Sequence, residues 1–352
     1  MKSKNSSNKI LALIKSQGFN KIELDSVLET KYILQRSGEN FRKYLFSFYN
    51  SNGEELCLRP DLTISSVLRY AQGNRFNKEK VFYTGSAFRK SYNKKNILIK
   101  QIGMEIFSSK DENKDDREII DTSIKVLKKT GFKKAKVEIG NFKLFELLIQ
   151  KLSIPQRWKD RLIKFYWNKE YFSQLLKRLD SNSDIDPFIV AGDHKTYLKM
   201  KKENPKKMIA GRTYAEIIER YERKVNDPRL TKTGKISSKI IKEFLKIKCP
   251  LKDAPKKLND FYKKYNINIS VAKEFFPIST FQKNLKFEFS TSSGRGREVE
   301  FYSSFIFSID VKIKGKTKTF IAGGRYNDLS SKNLGLRKIP AVGAAVNLGV
   351  YE

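Results

Sequence analysis

The sequence predicts an α+β fold: a mostly antiparallel sheet flanked by helices, with a helical insertion. Three features carry that expectation. Segments 81–89, 99–107 and 299–313 alternate apolar and polar side chains with the period of two that a strand with one buried face requires. Segments 64–72 and 115–130 carry apolar residues at helical spacing next to those strands. From 155 to 281 the pattern is helical and lysine-rich, broken at Pro187, Pro205, Pro228, Pro250, Pro255 and Pro277. The organisation expected is therefore a core in two parts, 1–152 and 283–352, with the insertion at 153–282.

Taken in order, Ile10, Leu11, Leu13 and Ile14 mark an amphipathic helix over 8–17, stopped by Gly18. Leu56 and Leu58 alternate into Arg59-Pro60-Asp61-Leu62-Thr63, where Pro60 ends a ladder and Asp61 or Thr63 can cap the helix that follows. In 81–89, Tyr83, Gly85, Ala87 and Arg89 share a face, so small residues leave room above the backbone. In 99–107, Ile102, Met104 and Ile106 point one way, and Gln101, Gly103 and Glu105 the other. One face is core, and the other can hold a ligand.

The helix at 115–130 has acids in its first turn, Lys128 and Lys129 in its last and Gly131 beyond it. A strand through Ala135, Val137 and Ile139 and a helix over 142–152 follow. The single histidine, His194, sits in Gly192-Asp193-His194-Lys195, which reads as a turn. After the insertion, 299–313 reads as one long antiparallel strand. Lys314-Gly315-Lys316 turns it back into 317–322, and the chain closes on a small, apolar run through Pro340 and Leu348.

Composition narrows the function. At 352 residues there is material for two or three domains. The apolar run 10–14 is too short for a signal peptide and no run approaches a membrane span, so the expectation is a soluble, cytoplasmic protein. Cys57 and Cys249 have no CxxC spacing, and one histidine cannot build a metal site, so no metal is expected. Gly294-Arg295-Gly296 lacks the third glycine of a dinucleotide loop, and Gly315-Lys316-Thr317 lacks the upstream glycine of a Walker loop. With 72 Lys+Arg against 38 Asp+Glu, the net charge is +34. A nucleic-acid footprint, a lysine-rich proteome and an acidic protein partner all give such a value. The lysines are scattered without an arginine-rich block, so nucleic acid is not the expected partner.

Four segments stand out together: Leu58-Arg59-Pro60-Asp61-Leu62-Thr63; Tyr83-Thr84-Gly85 through Phe88-Arg89; Gln101-Ile102-Gly103-Met104-Glu105; and Gly323-Gly324-Arg325-Tyr326 with Pro340-Ala341-Val342-Gly343. In this order and spacing the set resembles the catalytic core of class II histidyl-tRNA synthetases. The resemblance implies that fold and a histidine pocket. In it Asp61, Thr63, Gln101 and Glu105 hold the α-ammonium, Tyr326 and Tyr302 line the imidazole site, and Arg297 faces the carboxylate. Arg89 matches the arginine of the Phe-Arg-x-Glu motif, which faces the α-phosphate of ATP, and is counted with the pocket.

Departures from the family shape the functional expectation. The motif glutamate is Ser91, and the arginine expected at the end of the last motif is Val350. The sequence runs to Glu352, so no anticodon-binding domain is expected. These losses resemble those of a non-catalytic branch of the family, the regulatory subunits of short-form ATP phosphoribosyltransferase. That resemblance implies a homodimeric core in a hetero-octamer with the catalytic subunit, no cofactor, and histidine as the ligand for feedback inhibition in histidine biosynthesis. The rival readings are a minimal histidyl-tRNA synthetase or aminoacyl transferase, and a nucleic-acid-binding relic.

Overall fold

The computed structural model describes residues 2–73, 77–90, 98–108, 110–132, 134–182, 185–203, 208–278, 284–296 and 302–351. In chain order its elements are α1 (Lys2–Ser16), β1 (Asn20–Lys21), β2 (Val27–Glu29), α2 (Thr30–Ser37), β3 (Ser47–Tyr49), β4 (Glu55–Leu58), α3 (Thr63–Gln72), β5 (Glu79–Phe88), β6 (Leu98–Phe107), α4 (Glu112–Lys129) and β7 (Ala135–Asn141). Then come α5 (Phe142–Lys151), α6 (Gln156–Lys164), α7 (Lys169–Asp180), α8 (Pro187–Glu203), α9 (Tyr214–Val225), α10 (Lys232–Phe244), β8 (Lys248–Pro250) and α11 (Ala254–Lys264). The chain ends with β9 (Leu285–Ser290), β10 (Phe305–Ile313), β11 (Lys316–Arg325) and β12 (Ala341–Asn347). Two compact units result: Met1–Leu144 with Lys248–Asn259 and Ser270–Glu352, and Phe145–Ile247 with Asp260–Ile269.

The first unit is built on a nine-stranded sheet in the order β1-β5-β6-β12-β11-β10-β7-β9-β8. Its pairings are antiparallel except β1 with β5 and β7 with β9. Ile102, Met104 and Ile106 are fully buried on one face of β6, and α4 packs on β6, β11 and β12. A three-stranded sheet, β2-β4-β3, accompanies α2 and α3. Their apolar side chains Leu28, Ile33, Cys57, Ile64 and Val67 join Val81, Tyr83 and Tyr326 in one cluster on the other side. The second unit is helical, with Phe145 at its centre, its ring 4.4 Å from Tyr166, 5.8 Å from Phe172 and 6.3 Å from Phe244.

Local chemistry explains the boundaries. Asp111 caps α4 by accepting from the Lys114 N–H at 3.0 Å, and Gly131 adopts φ +84 just beyond the helix end. Lys314 and Gly315, at φ 48 and 78, form a two-residue connection with both central residues left-handed, the twist that suits an antiparallel hairpin.

Three expectations change. The strand foreseen over 299–313 spans Phe305–Ile313, with a register shift against β11 between Ile309 and Asp310; residues 299–301 lie outside the described ones. Tyr302 leaves the ladder to cover Gly324, and the Ser303 N–H donates to the Arg325 carbonyl at 2.8 Å. Within 153–282, β8 pairs antiparallel with β9. Three residues ending in a proline give no readable alternation, and the proline is tolerated because β8 is an edge strand. Gly192 to Lys195 form no turn but lie inside α8. A glycine in an exposed helix costs only about 1 kcal/mol relative to alanine, and Asp186 starts the helix by accepting from the Phe188 N–H at 2.8 Å. Among the described residues, no helix is long and apolar enough to cross a membrane, and no group of three or more His, Cys, Asp and Glu is placed to hold a metal ion.

Candidate functional site

The face of the sheet that carries Glu105 is floored by glycines overlain by side chains. Strand registers place Gly103 opposite Tyr83 and Ala345, and Glu105 opposite Val81 and Gly343. A Cβ on Gly103 would lie 2.2 Å from the Tyr83 ring, one on Gly343 would lie 1.4 Å from Glu105 Oε2, and one on Gly324 would lie 2.7 Å from the Tyr302 ring. A Cβ on Gly85 would meet the Arg59 guanidinium at 2.5 Å. The space above these small residues is filled by the chain's own Tyr83, Arg59, Glu105 and Tyr302 side chains. Arg59 is held there by the carbonyls of Ser86, Leu24 and Asp25 at 3.0, 2.7 and 2.9 Å.

Glu105 is the centre of this floor and is 2% exposed. Its Oε1 accepts from the Tyr83 hydroxyl and its Oε2 from the Tyr326 hydroxyl, both at 2.6 Å. Burial pushes its carboxyl up to about 7; the hydroxyls of Tyr326, Tyr83 and Thr63 oppose that rise and the charge of Asp61 adds to it. Burial and the adjacent carboxylate hold Tyr83 and Tyr326 well above the ordinary tyrosine range, so both remain protonated donors. The hydroxyls of Ser66 and Thr63 lie beside Tyr83 and partly oppose that rise. The result is a polar network around one carboxylate inside an apolar cluster.

Asp61, Thr63, Glu105, Tyr302 and Tyr326 therefore converge. Asp61 also starts α3, its Oδ1 accepting from the Ile64 N–H at 3.0 Å. Arg89 follows β5, and its Nε donates to the Pro60 carbonyl at 2.7 Å, beside Asp61. Gln101 is half-buried on the same face of β6 as Glu105, four residues or about 13 Å away along the strand. The Tyr83 ring over Gly103 lies between them. Arg297 and Ser91 lie outside the described residues. Tyr83 was not among the candidates, yet it supplies half of the bonding to Glu105. The signal for it was available: a large residue sharing a face with Gly85, paired in a hairpin with a strand that carries Gly103.

Val350 is buried, at 3% exposure, in the turn Leu348–Tyr351 that follows β12. An apolar side chain stands there in place of the arginine expected at the last motif.

The raised carboxyl sets a pH dependence. Native Glu105 holds its proton more tightly than an unfolded glutamate, so its contribution is complete below pH 4.5 and is lost as pH rises to about 7. At 1.36 kcal/mol per unit the whole loss is about 3 kcal/mol. Glu105→Gln is therefore expected to match the wild type near pH 4.5 and to exceed it by up to about 3 kcal/mol at pH 8, measured by urea unfolding across that range. An unchanged difference between the two would contradict the assignment.

Comparisons with known proteins bear on the family and the fold. The sequence profile of the histidyl-tRNA synthetase family matches residues 2–223. The ATP phosphoribosyltransferase regulatory subunit of Rhizobium johnstonii is 26% identical over 352 residues, covering 96% of this chain and 93% of that protein. Its namesake from Allorhizobium ampelinum is 25% identical, covering 96% and 94%. A crystal structure from Bacillus halodurans C, described as an ATP phosphoribosyltransferase regulatory subunit/histidyl-tRNA synthetase, is similar in fold, with a TM-score of 0.56 at 20% identity over 99% of this chain and 78% of that one. Histidyl-tRNA synthetase from Nostoc sp. PCC 7120 gives 0.57 at 16% identity over 99% and 70%. With more than half of its length matched by the profile and the class II architecture present around the glycine floor, the chain belongs to the histidyl-tRNA synthetase family.

Proposed function

We propose that this chain is the non-catalytic regulatory subunit of a short-form ATP phosphoribosyltransferase, that it binds histidine, and that occupancy of its pocket is transmitted to a separate catalytic chain as feedback inhibition. The observation that carries the reading is a contrast within one fold. Glu105, matched to the histidine pocket of the family, is buried between two tyrosine hydroxyls, whereas Val350 is a buried apolar side chain at the position matched to an arginine that a triphosphate would need. The relatives named as regulatory subunits of that enzyme, similar over nearly the whole chain, support the same reading.

In this reading Asp61, Thr63 and Gln101 receive the α-ammonium of histidine through charge-assisted acceptors. Glu105, which the family resemblance groups with them, lies deeper and shares its oxygens with Tyr326, the residue matched to the imidazole site, so this reading moves it from the α-ammonium to the ring end of the ligand. Arg89, Arg297 and Tyr302 complete the set. The working assembly is a homodimeric core in a hetero-octamer with the catalytic subunit, in the cytoplasm and without a cofactor.

The test is a calorimetric histidine titration of the wild type and Glu105→Ala. Loss of one hydrogen bond to a charged group predicts a deficit of about 1.5 to 3 kcal/mol, or roughly 10- to 150-fold. A titration unchanged in a folded Glu105→Ala variant would place the ligand elsewhere.

A further inference from the structure

The helical unit has a surface that its own packing leaves uncovered. One stripe of α8, formed by Val190, Asp193, Tyr197 and Met200, is half-buried, and α9 is the helix against which α8 packs. At 100° per residue, the stripe Phe188, Ala191, Lys195, Leu198 and Lys202 lies on the opposite side. Its 3-4-3-4 spacing is that of a helix built to meet another helix. All five residues are exposed, Phe188 at 89% and Leu198 at 46%. Neither Lys195 nor Lys202 has an ion-pair partner among the described residues.

The charges choose the occupant. A second copy of this face would set lysines seven residues apart against lysines, within chains that each carry +34. A phosphate backbone would satisfy the lysines and leave Phe188 and Leu198 in water. A helix with carboxylates spaced seven residues apart and apolar side chains between them satisfies both. We propose that the Phe188–Lys202 face of α8 docks an acidic amphipathic helix of another protein. On the regulatory-subunit reading, on which this assignment rests, that protein is the catalytic phosphoribosyltransferase chain. Docking removes two large apolar side chains from water and pairs two exposed ammonium groups, so both kinds of substitution weaken it.

The experiment mixes the full chain with the catalytic subunit from the same source and measures association by sedimentation velocity at 50 and 300 mM salt. Wild type, Phe188→Asp/Leu198→Asp and Lys195→Glu/Lys202→Glu are compared, with circular dichroism and histidine titration as controls. The expected result is assembly of the wild type that weakens with salt, and association at least 30-fold weaker in both variants with helix content and histidine binding unchanged. Equal assembly of wild type and variants overturns the docking face and leaves the regulatory reading standing. No assembly of the wild type at either salt overturns that reading and the docking face with it. Loss in the variants of binding to an RNA oligonucleotide, with assembly intact, overturns the acidic-helix assignment in favour of a phosphate surface.

Discussion

Arg325→Met is expected to cost about 3 to 5 kcal/mol of folding free energy, because it breaks a buried ion pair and leaves the other charge without its partner. Arg325 is 1% exposed and its Nε donates to Asp116 Oδ1 at 2.8 Å. Its remaining nitrogens reach the Glu112 carbonyl at 2.9 Å and Asn327 Oδ1 at 3.1 Å. One guanidinium thus ties the start of α4 to the end of β11 beside Tyr326. Burial already pushes the Asp116 carboxyl up to about 6 against the pull of Arg325. Without the arginine it rises further, so the loss in Arg325→Met should shrink below pH 6, where the carboxyl is neutral in both proteins. Arg325→Met/Asp116→Leu should recover much of the loss, since a buried pair replaced whole by apolar groups is often neutral. Urea unfolding of the single and double variants at pH 5 and pH 8 checks both statements.

Gly343→Ala has the second large effect, and it acts on ligand binding as well as stability. The added methyl would lie 1.4 Å from Glu105 Oε2, 2.4 Å from its Cδ and 2.8 Å from the Met104 carbonyl oxygen. These atoms cannot coexist, and the backbone carbonyl on the paired strand cannot retreat without breaking the β6–β12 ladder. Glu105 must leave its place and give up both tyrosine bonds. Overpacking alone costs about 1 to 3 kcal/mol, and the displaced carboxylate adds to that. Histidine affinity should fall at least as far as in Glu105→Ala. Chemical denaturation and calorimetry on the same preparation separate the two losses, and near wild-type histidine affinity in Gly343→Ala would show that Glu105 does not contact the ligand.

These residues also mark what a single sequence reveals. The alternation of Ile102, Met104 and Ile106 with Gln101, Gly103 and Glu105 gives the face of β6 directly, because side-chain direction in a strand is a local property. The cap of α3 by Asp61 is equally local. What stays hidden is pairing across the sheet. That Gly343 exists to admit Glu105 depends on the register of two strands more than 200 residues apart. The Asp116–Arg325 pair is separated by 209 positions, and neither segment advertises the other. Tyr83 falls between these cases: its face is readable, but its role follows from a hydroxyl meeting a carboxylate on the neighbouring strand. β8 and His194 were obscured for a different reason, since short edge strands and exposed helices are decided by surroundings as much as by propensity.

The most direct test of the regulatory reading is turnover. Formation of the phosphoribosyl adduct from ATP and phosphoribosyl pyrophosphate is measured with the purified catalytic subunit alone, with this chain added, and with this chain plus histidine. Low activity is expected for the catalytic subunit alone, with a rise on addition of the chain and inhibition by histidine that weakens about 10- to 150-fold when the added chain carries Glu105→Ala. Activity and histidine sensitivity that are the same with and without this chain would contradict the regulatory reading.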